Sequence, residues 1–237
     1  MEMKKLLFIL LSIVFASNVA SANETDSTVV YIVEDDSVAL DLVALDSAVV
    51  EKEEKITNAI SLFTMAPTDV ITLGYENRYQ IAYNDTLPYY IFDGDTCRVT
   101  HRDSAYMEID VAPNYKYQLV LPKDDLVMLI STHALPQQDS EIAFYDFEWN
   151  KLPLKKYFKT PLLSDWLTNE GKKNRATVEK KLPFLLVKYY YDVDSKILTL
   201  TNNLHTYFIS SEWDKISPFM KKELRYKWNG KKFNKIK

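Results

Sequence analysis

The chain has 237 residues, 47% of them hydrophobic and 26% charged, which is the composition of a globular protein large enough to bury a core in one or two domains. Its single cysteine, Cys97, excludes an intramolecular disulfide, and four glycines against sixteen tyrosines favour regular strands and helices over glycine-rich phosphate-binding loops. The formal net charge of −4 results from two acidic segments and one strongly basic segment, so charge is unevenly distributed along the chain.

The N-terminus predicts a cleavable export signal in residues 1–22. Lys4 and Lys5 precede an apolar run over residues 6–16, and Ala20-Ser21-Ala22 ends the segment with small residues suited to a signal peptidase. The run is shorter than the about 20 residues that cross a bilayer, and charges interrupt every later apolar stretch. We therefore expect a soluble protein that is exported to the periplasm or the extracellular space and has no transmembrane segment.

Residues 23–55 predict an acidic flexible arm. They contain ten acidic and two basic residues, the sequence VALD at residues 38–41 and again at 43–46, and one aromatic residue, Tyr31. A segment with so few large apolar side chains has little surface to bury and is hard to fold alone. The alternative is a strand or helix that docks on the basic C-terminal half of the chain.

Periodicity in residues 56–147 predicts two helices followed by an antiparallel meander. Helical spacing of apolar residues favours one helix that ends near Thr64, before Pro67, and a second over residues 75–83. Two-residue alternation, interrupted by turn sequences, then predicts six strands at residues 89–92, 97–101, 106–111, 115–121, 126–132 and 141–147.

The last third of the chain predicts shorter elements. We expect helices near residues 162–167 and 175–181, strands at 184–192 and 197–202, and a short helix from Ser217 through Lys222. A final hairpin turns at Asn229-Gly230, a pair that favours a two-residue turn and would place Tyr226 opposite Phe233. We predict a single α+β domain over residues 56–237, in which helices pack on one face of a mostly antiparallel sheet.

The charge distribution predicts a binding surface. Residues 56–150 carry fourteen acidic and five basic residues, whereas residues 151–237 carry eight acidic and twenty basic residues. Nine of these bases lie between Lys215 and Lys237, and the basic C-terminal half also holds the aromatic residues Tyr207, Trp213, Tyr226, Trp228 and Phe233. We expect a non-catalytic envelope protein whose basic C-terminal half binds an envelope protein or a polyanion other than nucleic acid. The alternative is a solvated surface that keeps the protein soluble.

A succession of short motifs runs from residue 65 to residue 233. The motifs are Met65-Ala66-Pro67; Arg78 with Ile81 and Tyr83; residues 139–145 with Trp149; and Tyr226-Lys227-Trp228 before Gly230 and Phe233. This succession resembles an uncharacterised bacterial family of exported proteins classed as a domain of unknown function. The resemblance covers residues 56–233 and implies export and a single domain. Relatives carry cysteines around residues 132–140, where this chain has none, and the resemblance brings no catalytic residues.

A search for catalytic chemistry identifies no catalytic residue. The sequence has no GxSxG, HExxH, GxGxxG, Walker or CxxC motif, and we expect no cofactor and no metal. Cys97, His101 and Asp103 could supply a thiolate, a base and an orienting group. Four residues of strand would separate Cys97 from His101 by about 13 Å, which favours an ordinary core thiol. Asp93-Gly94-Asp95 lacks the remaining ligands of a calcium loop and favours a turn. A hydrolase with an unconventional cleft site is the alternative function.

A recurring triplet consists of aspartate, then serine or threonine, then a small or aliphatic residue. In the first copy the third residue is Thr28. It occurs at residues 26–28, 36–38, 46–48, 85–87 and 103–105. The triplet is similar to the acceptor pattern by which some bacteria O-glycosylate exported proteins, and three copies lie in the acidic arm, where an adduct costs no packing. The alternative is that these Asp-Ser and Asp-Thr pairs form turns.

Overall fold

The computed structural model of the chain describes residues 57–83, 89–90, 96–112, 115–133 and 136–236. Several sequence predictions lie outside these residues: the export signal, the acidic arm, the Asp93-Gly94-Asp95 turn and four of the five Asp-Ser/Thr triplets. These predictions, and the predicted domain boundaries, stay predictions.

The described residues contain seven α-helices and eleven strands. The helices are α1 (Ala59–Met65), α2 (Tyr75–Tyr83), α3 (Leu154–Tyr157), α4 (Leu163–Trp166), α5 (Asn169–Lys173), α6 (Arg175–Lys181) and α7 (Ser210–Ile216). The strands are β1 (Tyr89–Tyr90), β2 (Thr96–Arg102), β3 (Tyr106–Ala112), β4 (Tyr115–Lys123), β5 (Leu126–His133), β6 (Asp139–Tyr145), β7 (Lys151–Leu152), β8 (Val187–Asp192), β9 (Ile197–Asn202), β10 (Glu223–Trp228) and β11 (Phe233–Ile236). None of these helices is long and apolar enough to span a membrane.

Strands β1–β7 form a seven-stranded antiparallel sheet in the order of the chain, which confirms the predicted meander. Because successive side chains point to opposite faces, Leu126, Met128 and Ile130 of β5 lie in one hydrophobic cluster and Val127 and Leu129 lie in another. All five side chains are buried. The meander is therefore a middle layer with a hydrophobic core on each of its faces.

Helices α1 and α2 contribute to one of these cores. The Asn58 side chain accepts a hydrogen bond from the Ser61 N–H at 2.8 Å, and Ser61 Oγ accepts one from the Asn58 N–H at 3.1 Å, so a capping box begins α1. Phe63 of α1 and Ile81 of α2 are fully buried in the cluster that also contains Met107 of β3. The apolar spacing of the sequence predicted both helices, and the structure confirms them.

A buried arginine stabilises the connection between these two helices. Arg78 of α2 is 3% exposed, its Nε donates to the Thr64 carbonyl at 3.1 Å, and its Nη1 donates to the Leu73 carbonyl. Burial lowers the pKa of Arg78. Thr64 lies in the last turn of α1, where carbonyl groups lack partners within the helix. The arginine therefore serves as a structural donor to the backbone.

Strands β8–β11 form a second antiparallel sheet, in the order β11-β10-β9-β8. Tyr189, Leu200 and Tyr226 project from three neighbouring strands into the cluster on the other face of the meander. Helices α4, α6 and α7 add side chains to this same cluster. The chain is thus a mostly antiparallel α+β protein, as predicted. Its strands form two sheets, and its helices divide between the two cores.

Side chains of the meander close the outer edge of β8. Three backbone N–H groups of this strand donate across the junction: Val187 to Asp139 Oδ1 at 2.9 Å, Tyr189 to Ser140 Oγ at 3.0 Å and Tyr191 to Gln118 Oε1 at 3.0 Å. An edge strand with open donors invites pairing with another chain, and a buried donor without a partner costs about 1–3 kcal/mol. These three hydrogen bonds therefore join the sheets through the backbone of β8.

The C-terminal hairpin forms, but its register differs from the prediction by two residues. Trp228 pairs with Phe233, and Tyr226 pairs with Lys235, so the prediction that Tyr226 opposes Phe233 is wrong. A shift of two residues preserves the face of each side chain, and Phe233 remains buried.

The reason for the shift lies in the loop that joins β10 to β11. The Asn229 side chain accepts hydrogen bonds from the N–H groups of Lys231 and Lys232 at 3.0 and 2.9 Å, which favours a four-residue loop over a two-residue turn. Gly230 takes a φ of 88°, the left-handed conformation that glycine adopts without strain.

Other elements also differ from the prediction. The helix expected from Ser217 through Lys222 is a single 3₁₀ turn, Ser217–Phe219, because Met220 leaves it to form a bridge with Leu167. Helix α7, directly before this turn, was not predicted. Strand β8 begins at Val187 instead of Phe184 because its partner β9 ends opposite Val187.

Candidate anion-binding groove

Two consecutive aromatic residues at the end of α3 connect the two sheets. Tyr157 packs against Phe144 of the meander with ring centroids 4.8 Å apart, whereas Phe158 packs edge-to-face on Tyr226 and Phe233 of the second sheet at 5.2 and 6.1 Å. Such aromatic pairs contribute about 0.5–1.5 kcal/mol each beyond their buried area. The lysine-rich segment around them is therefore held against the C-terminal hairpin.

A groove of about 460 Å³ lies between this segment and the hairpin, and we call it the first groove. Lys155 and Lys159 line it from the segment, and Lys232 and Lys235 line it from the hairpin. Tyr226 and Phe233 also line the groove, and each residue is more than nine-tenths buried. The lining of the first groove thus combines lysines with aromatic residues.

Among the described residues that line the first groove, one carries a carboxylate, Asp165. Its Oδ1 accepts a hydrogen bond from Lys235 Nζ at 3.0 Å, and its Oδ2 accepts one from the Leu162 N–H at 3.0 Å. Burial acts to raise the pKa of Asp165, but these bonds lower the pKa overall, so the carboxylate is ionised at neutral pH. Both of its oxygens are engaged within the protein.

The other three lysines of the first groove, Lys155, Lys159 and Lys232, form no ion pair with any carboxylate that the structure describes. Burial, followed by the charge of Asp165, raises the pKa of Tyr226 to about 12, so its hydroxyl is protonated at neutral pH. Ammonium groups are donors without an acceptor function. The groove is therefore suited to carboxylate, sulfate or phosphate groups.

The residues considered for nucleophilic chemistry do not form a site. Cys97 is fully buried in the core beneath α1 and α2. On the surface, His101 Nε2 lies 2.9 Å from Asp103 Oδ2, and about half of each side chain is exposed. Asp103 Oδ1 also accepts the N–H groups of Ala105 and Tyr106, both at 2.8 Å, so Asp103 stabilises the turn between β2 and β3. Within the described ranges, no three His, Cys, Asp or Glu side chains are grouped to hold a metal.

A buried polar cluster at the sheet junction was missed by the sequence reasoning. Glu108 and Gln118 are cross-strand partners on β3 and β4, and Gln118 Nε2 donates to Glu108 Oε2 at 3.1 Å. Glu108 also accepts a hydrogen bond from the Tyr106 hydroxyl and pairs with Lys116 Nζ at 2.5 Å. The signal available in the sequence was the polar side chain of Gln118 at an inward position of an otherwise apolar strand.

The Gln118 amide connects this cluster to the second sheet. It accepts the Tyr191 N–H and donates to the Tyr191 carbonyl at 3.2 Å, as a neighbouring strand would. Burial and the bond to Glu108 raise the pKa of Tyr106. The described side chains of the cluster thus form hydrogen bonds with one another and with β8, so the cluster has a structural role.

The fold and the groove define an α+β protein of two antiparallel sheets with a basic surface cleft. The chain belongs to the family described as "Protein of unknown function (DUF3256)", whose model matches residues 93–233. This confirms the resemblance to an uncharacterised family.

One similar solved structure is a domain of an uncharacterized protein from Porphyromonas gingivalis W83. It has 16% sequence identity and a TM-score of 0.62, and the match covers 74% of this chain and 98% of that chain. At this identity the similarity shows a shared fold alone. A search of the curated proteins finds no match.

The substitution Glu108→Gln tests the polar cluster because it keeps the shape of the side chain and removes its charge. We expect it to lower the free energy of unfolding at pH 7 by about 2 kcal/mol, since hydrogen bonds to charged groups contribute about 1.5–3 kcal/mol. Denaturant titration measures this change, and Glu148→Gln at an exposed position is the control.

The effect of Glu108→Gln on the free energy of unfolding should change with pH in a defined direction. Burial acts to raise the pKa of Glu108, but the bonds from Lys116 and Tyr106 lower it overall. A carboxyl group whose pKa is depressed in the folded state contributes stability above its unfolded pKa of about 4.3, and this contribution is lost as the pH falls toward the folded value. The difference between wild type and Glu108→Gln should therefore shrink below about pH 4. A difference that stays constant across this range would contradict the assignment.

Proposed function

We propose that this protein is an exported, non-catalytic binding protein of the cell envelope and that it binds an anionic ligand in the first groove. The observation that supports this most is the imbalance of charge. The described lining residues include four lysines and one carboxylate, that of Asp165, which is already paired with Lys235. A cleft lined by one sign of charge concentrates the field and attracts ligands of the opposite charge.

Binding fits the lining of the first groove better than hydrolysis does. Glycoside hydrolysis generally needs two carboxylates across a cleft, one of them able to exchange a proton. Asp165 is the only carboxylate among the described lining residues, and both of its oxygens accept hydrogen bonds from the protein. No observation on the described residues favours the hydrolase alternative.

The location of the protein is proposed from its N-terminal sequence. The lysines, the apolar run and the small residues before Asn23 have the order of an export signal. Outside the cytoplasm, the ligands available to a basic cleft include anionic polysaccharides and the acidic groups of envelope polymers.

Charge reversal in the first groove tests the proposed function. We expect the double variant Lys159→Glu/Lys232→Glu to weaken binding of dextran sulfate, a sulfated polysaccharide, about tenfold or more, because it replaces two attractive contacts with two repulsive ones. The control is Lys180→Glu/Lys181→Glu on α6, which makes the same change of net charge at exposed positions outside the groove.

Isothermal titration calorimetry at fixed ionic strength measures both affinities, and thermal unfolding shows whether each variant is folded. An equal loss of affinity in both variants would mean that net charge, and not the groove, attracts the ligand. That result would contradict the proposal.

We also propose that export exposes the protein to O-glycosylation at the Asp-Ser/Thr triplets. Ser104, in the triplet 103–105, is exposed in the turn between β2 and β3, where a modifying enzyme can reach it. The four other triplets lie outside the described residues.

The intact mass of the protein tests the modification. We expect the mass of protein isolated from its native host to exceed the mass of the same chain made in a host without such machinery. Substitution Ser104→Ala should remove one adduct, and Ser195→Ala, at an exposed turn serine that follows Asp194 and precedes Lys196, should remove none. Identical masses from the two hosts would contradict the proposal.

A further inference from the structure

A second groove, of about 560 Å³, lies at the end of the C-terminal hairpin. Its lining includes two cations besides Lys235, namely Lys221 and Arg225, together with Glu223 and the apolar side chains Leu224 and Ile236. Lys235 lines both grooves. The two grooves are therefore neighbours that share one lysine residue.

The register of the hairpin explains why Lys235 lies between the grooves. Tyr226 pairs with Lys235, and Arg225 pairs with Ile236. Because cross-strand partners share a face and adjacent residues alternate, Tyr226 and Lys235 lie on one face of the sheet and Arg225 and Ile236 lie on the other. Strand β11 is the edge of its sheet, so a ligand can pass around this edge from the first groove to the second.

Positive charge continues across this edge. Lys221 Nζ donates to the Asp165 carbonyl at 2.7 Å, which holds it beside the Asp165–Lys235 pair. Burial, then the charges of Lys235 and Lys172, lower the pKa of Lys221 against the opposing charge of Asp165. Among the described residues that line the two grooves, six carry basic side chains and two, Asp165 and Glu223, carry carboxylates.

We infer that the two grooves form one continuous track for a linear anionic polysaccharide, which crosses the edge of β11 at Lys235. This inference rests on the proposed function and names its ligand class. A compact anion would be satisfied by one groove, whereas cations on both sides of the edge match a chain that carries charge on successive units.

Two other polyanions fit these surfaces less well. Single-stranded nucleic acid is generally held by exposed rings on which the bases stack. The four aromatic residues of the first groove, Tyr157, Phe158, Tyr226 and Phe233, are each less than a tenth exposed. A membrane is a flat surface, whereas the basic residues of the two grooves include Lys235 and Arg225, which lie on opposite faces of the hairpin.

Ligand length and groove-specific variants test the track. The probes are a heparin disaccharide and a heparin decasaccharide. We expect Arg225→Glu in the second groove to weaken binding of the decasaccharide about fivefold or more and to leave the disaccharide unchanged. Lys155→Glu/Lys232→Glu in the first groove should weaken both. Lys227→Glu is the matched control, because it is exposed on the same face of β10 as Arg225 but lines neither groove.

The outcomes separate this inference from the proposed function. If the first-groove variant weakens both ligands and Arg225→Glu affects neither more than Lys227→Glu does, the ligand is confined to one groove and the track is wrong. If no variant changes either affinity, the proposed function itself is wrong. The protein could also bind a single-stranded oligonucleotide, or vesicles with anionic lipid, more tightly than the decasaccharide at the same salt concentration. That result would contradict the assignment of a polysaccharide as the ligand.

Discussion

The hydrogen bonds between the edge of β8 and the face of the meander are the constraint on which the rest of the structure depends. Gln118, Ser140 and Asp139 accept the outward N–H groups of β8, so the edge of one sheet ends on the face of the other. Apolar contact alone would allow the two sheets to slide, whereas hydrogen bonds at every second residue of β8 fix both their separation and their register. Tyr189 and Tyr191, whose N–H groups form two of these hydrogen bonds, also bury their side chains, so polar and apolar contacts are made by the same residues of β8.

The position of the basic groove follows from this junction. Tyr157 contacts the meander, and the next residue, Phe158, contacts the second sheet. These two contacts hold the neighbouring Lys155 and Lys159 where the two sheets meet. The hairpin that carries Lys232 and Lys235 belongs to the sheet that contains β8. The groove is therefore formed by two segments, residues 155–165 and 226–235, which the packing of the two sheets brings together.

Much of the fold could be predicted from the sequence because it depends on local periodicity. The two-residue alternation of β3 to β5 and the helical spacing of α2 identified those elements within one or two residues. The hairpin register could not be predicted, since it depends on whether the Asn229 side chain accepts backbone hydrogen bonds inside the loop. The junction was missed for a similar reason, because alternation shows that Gln118 points inward but not which backbone it meets. For the candidate site, the excess of lysine indicated the C-terminal half, and only the fold brings Lys155 and Lys232 to one groove.

The central claim, that the meander closes the edge of β8, is tested most directly by native-state amide hydrogen exchange. If the claim is right, the N–H groups of Val187, Tyr189 and Tyr191 exchange as slowly as the interior amides of β4 and β5. Exchange of these three groups at the rate of an open sheet edge, such as the outer edge of β11, would contradict it.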